Sequence, residues 1–262
     1  MTHRLSELSV FMPAYNEEAN VSPAIEECIS ELPLLTEKYE IIIVDDGSDD
    51  RTAEIAQNWV GKNEHVRLIR HDRNRGFGAA CRTGINASSY QYIFYTDIDG
   101  QFRIRDLTRL ISFVENSHIV SGYRLHRADP PFRLFYAFCY NTLLKIIFGI
   151  PYRDVDASFK IYHKEIFDYL KIESETGFSD AETLVKARYL GMTIKQVGVN
   201  HYPRRAGRVS FQLAQRGLFQ GLVKFNAIRD LWNDLRSFYR RLSKGLYWKD
   251  RLNSVKIRKI GG

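Results

Sequence analysis

Four short apolar runs, each closed by a polar turn and three of them followed by a segment of helical pattern, restrict this chain to an alternating α/β layout. The runs are residues 8–12, 39–44, 66–70 and 92–96, and the helical stretches between them are 21–32, 51–60 and 76–88. Runs rich in Val, Ile, Phe and Tyr with little alternation read as strands buried on both faces. Repetition of strand, helix, strand then builds a parallel sheet covered on both sides. In such sheets ligands sit beyond the carboxyl ends of the strands. The expected fold is α/β with a mostly parallel central sheet flanked by helices.

Three of those strand ends carry acidic turns, Tyr15-Asn16-Glu17, Asp45-Asp46-Gly47 and Asp97-Ile98-Asp99, and they are expected to meet at one crevice. Strand side chains alternate, so Asp97 and Asp99 face the same way if strand geometry continues past Thr96. With Gln101 they make a hard oxygen donor set, suited to Mg²⁺ or Mn²⁺ when a substrate's phosphate oxygens complete the shell. Aspartates also end strands and begin Asp-Gly turns without any metal; it is the company of the other two turns that favours a diphosphate site. Asn74-Arg75-Gly76-Phe77-Gly78 does not complete a dinucleotide fingerprint, because Cys81 stands where the third glycine would be. Gly76 and Gly78 are expected instead to give tight entry to a helix packed closely on the sheet.

Composition sets the outer limits. At 262 residues, 44% hydrophobic and 26% charged, the chain suits one large catalytic domain with an appendage. Three cysteines, Cys28, Cys81 and Cys139, lack metal spacing and are odd in number, which argues for a reducing compartment. The amino terminus has no apolar signal core, and no uncharged apolar run reaches the roughly 18 residues of a spanning helix. The net charge of +7 is uneven: residues 201–262 hold 15 Lys and Arg against three Asp, while the preceding 200 residues are net acidic. A basic tail interleaved with Phe, Trp and Tyr suits a polyanionic surface, either nucleic acid or acidic lipid.

In the second half, residues 106–115 read as a helix and 118–122 as a strand. Residues 132–148 form a helix apolar nearly all round, which fits either buried core or a membrane-facing surface. Residues 154–162 return towards the sheet, 164–170 form a short helix, and Ser179 with Glu182 matches a capping box opening a helix to about 190. A last strand spans 193–199, followed by a cationic loop, residues 201–208. Residues 211–242 carry apolar side chains at helical spacing, among them Leu213, Leu218, Leu222 and Trp232. The expected domains are 1–210 and a basic amphipathic helical tail, 211–262, lying on a membrane interface or packing on the domain or on a second copy.

Taken in order, Pro13-Ala14-Tyr15-Asn16-Glu17, Val44-Asp45-Asp46-Gly47-Ser48, Asp97-x-Asp99-Gly100-Gln101, Gly122-x-Arg124, Asp156-Ala157-Ser158-Phe159-Lys160, the run from Gly177 to Glu182, and Arg204-x-x-Gly207 resemble the inverting family 2 glycosyltransferases of the GT-A fold. Within them they are most similar to the dolichol- or polyprenyl-phosphate sugar synthases. The resemblance covers roughly residues 8–210. It implies that Pro13, Tyr15, Glu17, Val44 and Asp46 hold base and ribose, that Asp97, Asp99 and Gln101 hold the metal on the diphosphate, and that Ile98 lines the donor site between them. It implies that Arg124 and Arg133 face a lipid phosphate, and that the loop carrying Arg204, Arg205 and Arg208 closes on the donor. Two departures stand out: Val209 occupies the position where the family commonly has serine, and the spanning carboxy-terminal helices of many relatives are not seen.

The implied reaction is metal-dependent transfer of a hexose from a nucleotide sugar, GDP-mannose or a UDP-hexose, to a polyprenyl phosphate. Its expected setting is the anionic cytoplasmic face of a membrane, with no nucleic acid partner and with self-association left open. A phosphate acceptor is already ionised near neutrality, so no strong base is needed, and no histidine is expected in the crevice. A hydroxyl acceptor would need a base, and Asp180 or Glu182 would then be nominated. A nucleic-acid-binding protein acting through the tail is the reading from a different class; it leaves the acidic strand ends unexplained.

Overall fold

A seven-stranded sheet in the order β3-β2-β1-β4-β6-β5-β7 forms the centre of the computed structural model. The structure describes residues 4–126, 131–206, 232–233 and 235–240, the side chains of residues 131–133 and 136 excepted. In chain order the strands are β1 (Leu5–Ala14), β2 (Thr36–Asp45), β3 (Val66–Arg70), β4 (Tyr92–Thr96), β5 (Ile119–Arg124), β6 (Phe159–His163) and β7 (Ile194–Val199). The helices are α1 (Glu18–Leu35), α2 (Thr52–Val60), α3 (Phe77–Ala87), α4 (Thr108–Ile111), α5 (Pro131–Phe148), α6 (Ile166–Tyr169) and α7 (Phe178–Tyr189).

Strand alternation divides the core into two layers. Val10, Met12, Ile41, Ile43 and Phe94 point to the side of α1, whereas Phe11, Ile42, Val44, Ile93 and Tyr95 point to the side of α3, α5 and α7. Both sets are essentially solvent-free, which is why these strands read as continuous apolar runs. β1 continues through Pro13 to Ala14, past the expected stop. It outruns β4, whose pairing ends at Phe11 with Tyr95, so the proline lies where no ladder bond to β4 is needed.

Two departures shape the site. β6 runs antiparallel to both β4 and β5, with Thr96 opposite Phe159, so the strand following residues 154–158 enters the sheet in reverse. The helix expected over 106–115 is broken into 3₁₀ turns, Ile104–Leu107 and Val114–Asn116, on either side of α4.

α5 is part core and part exposed surface. Leu144 and Phe148 are buried against the domain, while Phe135, Phe138 and Ile146 are each about 70% exposed or more. Of the tail, the described residues 235–240 are helical. There Leu235 and Phe238 are buried, with Phe238 set edge-on between Phe148 (5.5 Å) and Phe178 (5.3 Å). Residues 211–231 and the boundary after residue 210 lie outside the described residues. No helix among the described residues is long and apolar enough to cross a membrane.

Candidate active site

The acidic turns open on one crevice of about 650 Å³ at the carboxyl edge of β1, β2 and β4. Its lining includes Pro13, Tyr15, Glu17, Asp46, Asp97, Ile98, Asp99, Gln101, Arg124 and Arg204, all expected from the sequence.

Each turn is held by its neighbours. Beyond β1, Asn16 takes a left-handed backbone (φ 54°), a conformation asparagine tolerates better than most residues. Its N–H donates to Ser48 Oγ (2.9 Å), and its Oδ1 accepts from Asp49 N–H (2.9 Å). The adjoining N–H of Glu17 donates to Thr52 Oγ1 (2.8 Å), so the second turn positions the first. Beyond β2, Asp46 accepts from the Arg75 and Gly76 N–H groups (both 2.9 Å) and pairs with His71 Nδ1 (2.6 Å). It thereby secures the turn leading into α3.

Gly76 and Gly78 are closely packed, as expected, but their neighbour is the loop before α7. A Cβ on Gly78 would lie 2.0 Å from the Ser174 carbonyl oxygen, and one on Gly76 2.4 Å from that of Glu175. The tight contact with the sheet belongs to Gly84, whose Cβ would meet the Phe11 ring.

Beyond β4 the strand ends at Thr96, yet Asp97 and Asp99 both line the crevice. The Asp97 carboxyl is pushed up to about 8, first by burial and then by the charge of Asp99, against the stabilising bond from Ser158. Asp99 accepts from Gln101 N–H (2.9 Å) and from Arg204 Nη1 (3.0 Å). Arg204 Nη2 donates to Glu17 Oε1, and burial raises the pKa of Glu17 despite Asn20 and Arg204 beside it. Two crowded carboxylates, one of them strained towards its neutral form, fit a divalent cation, whose charge would relieve the repulsion. Among the described residues no three His, Cys, Asp or Glu side chains converge as a metal centre. Asp97, Asp99 and Gln101 would therefore hold such an ion with oxygens from a ligand completing the shell.

The opposite wall comes from β5 and the segment before β6. Arg124 donates from Nε and Nη2 to Asp154 (both 2.7 Å) and from Nη2 to Asp156 (3.1 Å). Beneath it Lys160, fully buried, donates to Asp180 Oδ1 (2.7 Å). Burial raises the Asp180 carboxyl, with Lys160 opposing.

Several sequence expectations are corrected. Val44 is fully buried among the side chains facing α3, because alternation along β2 turns it there with Ile42, and it does not line the crevice. Arg205 extends to Glu27 (3.3 Å) outside the crevice lining. The capping box does not form: α7 follows Gly177 with no side-chain cap. Glu182 instead accepts from Glu173 N–H (3.0 Å), Ser174 N–H (2.8 Å) and Lys186 Nζ (2.5 Å). A histidine does border the crevice: His201, just past β7, packs edge-on against Phe102 (5.4 Å). Its position at the carboxyl end of a strand was the available signal. The Arg133 side chain and the whole of Arg208 lie outside the described residues.

Comparison with solved structures identifies the architecture. A glucosyl-3-phosphoglycerate synthase from Mycobacterium tuberculosis, in complex with Mn²⁺, UDP-glucose and phosphoglyceric acid, superimposes with a TM-score of 0.64 at 20% identity, over 87% of this chain and 79% of that one. The α/β fold is shared with that class of GT-A proteins. Residues 9–170 match the model for glycosyl transferase family 2, and the chain belongs to that family.

Its curated relatives include a dolichyl-phosphate beta-glucosyltransferase of Dictyostelium discoideum, 32% identical over 218 residues, covering 74% of this chain and 65% of the relative. A dodecaprenyl-phosphate galacturonate synthase of Rhizobium johnstonii is 30% identical, covering 77% and 60%. An undecaprenyl-phosphate 4-deoxy-4-formamido-L-arabinose transferase of Yersinia enterocolitica is 28% identical, covering 81% and 64%. The chain thus spans under two thirds of the length of these relatives.

Proposed function

We propose that the protein transfers a hexose from a nucleotide sugar to a polyprenyl phosphate with inversion at the anomeric carbon. The observation that carries this is the crevice itself, where the Asp97 and Asp99 carboxylates share one space with Arg204 and the Arg124 cluster. The three curated relatives differ in the sugar but share a polyprenyl phosphate in their names, which supports the acceptor.

In this reading Pro13, Tyr15 and Glu17 receive the nucleoside, and Asp46 shapes its pocket by fixing the turn at Arg75 and Gly76. Asp97, Asp99 and Gln101 hold Mg²⁺ or Mn²⁺. A divalent cation supplies charge neutralisation for the departing diphosphate. Arg204, a hydrogen-bonding cation at the same carboxylates, adds donors where negative charge develops. The acceptor phosphate oxygen attacks the anomeric carbon as the bond to the diphosphate oxygen breaks. Being ionised already, it requires no proton transfer.

The bases nominated for a hydroxyl acceptor are otherwise engaged: Asp180 with buried Lys160, Glu182 with buried Lys186. This favours the phosphate acceptor. The exposed Phe135, Phe138 and Ile146 of α5 support contact with lipid at a membrane surface, on the cytoplasmic face where nucleotide sugars are available.

The test is to incubate the protein and Mn²⁺ with a panel of nucleotide sugars and a short polyprenyl phosphate. Consumption of one donor with formation of a glycosyl lipid phosphate is expected. Transfer to a glycan hydroxyl but to no lipid phosphate would replace this assignment with the hydroxyl one.

A further inference from the structure

We propose that Glu27, on the third turn of α1 and outside the acidic turns and loops that line the crevice, is a positioning residue that fixes two walls of the donor crevice to each other. The proposal rests on the donor-site reading just given. Glu27 divides its two carboxylate oxygens between two tasks. Oε1 accepts the main-chain N–H of Ile104 (2.9 Å), directly beyond the turn that carries Asp97, Asp99 and Gln101. Oε2 accepts from Arg103 Nη1 (3.2 Å) and Arg205 Nη2 (3.3 Å). Arg205 is the neighbour of Arg204, the side chain that reaches Asp99 and Glu17.

The two segments Glu27 joins already run side by side. Tyr202 N–H donates to the Gln101 carbonyl (2.9 Å) and Arg205 N–H to that of Asp99 (3.1 Å). The Arg103 guanidinium lies over the Tyr202 ring at 5.2 Å. From two turns earlier on α1, Asn20 donates to the Ala206 carbonyl (3.0 Å). One helix therefore grips the strap at the adjacent residues Arg205 and Ala206, and Glu27 is the grip that also holds the metal-side turn.

Magnitude separates placement from stability. The Arg103 and Arg205 side chains are 27% and 34% exposed, and ion pairs of that exposure contribute little to folding. Their effect is on where the strap lies, and so on how well Arg204 addresses the diphosphate. Glu27→Gln keeps a carbonyl oxygen for Ile104 N–H but removes the charge that draws the guanidinia. Glu27→Ala removes both.

The test combines kinetics with limited trypsin digestion, since trypsin cuts after arginine and the strap offers Arg204 and Arg205. Glu27→Gln is expected to raise the rate of cleavage after Arg204 and Arg205, read by mass spectrometry. It should also raise the donor KM about tenfold, equivalent to about 1.4 kcal/mol, with kcat within about twofold of wild type. The melting temperature should move by no more than about 2 °C, and Mn²⁺ with the nucleoside diphosphate should restore protection. Glu27→Ala should exceed the Gln variant in both cleavage and KM. Unchanged cleavage and KM in both variants would overturn the proposal, as would a matched loss of kcat and melting temperature that marks general damage. The digestion needs no substrate, so it decides the role of Glu27 even if the wild type consumes no nucleotide sugar.

Discussion

Arg204 holds Asp99 through Nη1, at 3.0 Å, and Glu17 through Nη2. One side chain from beyond β7 thus neutralises acids delivered by β1 and β4, and the three strand ends form one electrostatic unit.

Asp99→Asn removes a carboxylate from this unit without opening the core. Transfer is expected to fall by at least about a hundredfold, the scale of losing one stabiliser of developing charge, while the melting temperature changes little. Excess chelator should silence the wild type in the same assay. Turnover near the wild-type rate in either case would remove the metal from the mechanism.

The Lys160–Asp180 pair lies in the interior, where removing one partner strands the other. Lys160→Met is expected to cost about 3–5 kcal/mol in urea unfolding. Combining it with Asp180→Leu should recover most of that loss without restoring turnover. If Lys160→Met proved as stable as the parent, the pair would have to be reached by solvent.

Gly78 and Gly177 make a matched comparison. Gly78 leaves no space for a Cβ against the Ser174 carbonyl, whereas the Cβ position of Gly177, which lines the crevice, is open. Gly78→Ala should destabilise by about 1–3 kcal/mol through forced backbone shifts and weaken donor binding as the start of α3 moves. Gly177→Ala should leave stability close to wild type. Equal melting curves for all three proteins would contradict the packing described.

Glu40 supplies a pH dependence. Burial alone would raise its carboxyl, but bonds from Ser9, Ser89 and Arg67 outweigh it and hold the group below its ordinary value of 4.5. Stability from a depressed carboxyl is complete above the unfolded value and is lost as pH falls through the folded one. The stability advantage of wild type over Glu40→Gln should therefore shrink as the pH falls below the ordinary glutamate value of 4.5. A difference independent of pH would show that the charge is not what these donors recognise.

The first four strands and their acidic ends were legible because buried parallel strands are apolar on both faces and the turns interrupt them sharply. β6 was less so: Lys160 is its second residue, and only its partners, Asp180 and the Ala157 carbonyl, make a lysine acceptable there. Local spacing misled at Ser179 and Glu182, where a capping pattern is present but Lys186 and the 173–174 N–H groups claim the carboxylate. The Val44 side chain lies outside the crevice because β2 is buried on both faces, and alternation turns it to the layer of α3. His201 and Glu27 could be placed only once residues about 100 and 80 positions away in sequence, at Phe102 and Ile104, were known to lie beside them.

The reversed strand β6 divides the crevice by position in the chain as well as by geometry. The strands on one side of it, β1 to β4, come from a single unbroken stretch of chain, residues 5–96, and the acidic clamp around Arg124 comes from the later stretch, residues 119–163. In the proposed function the first stretch supplies the nucleotide-sugar residues and the second the acceptor wall, while Arg204 crosses from beyond β7 back to the first. Contacts across that boundary include Thr96 against Phe159, Gly78 against Ser174, and the Tyr95 ring under Lys160.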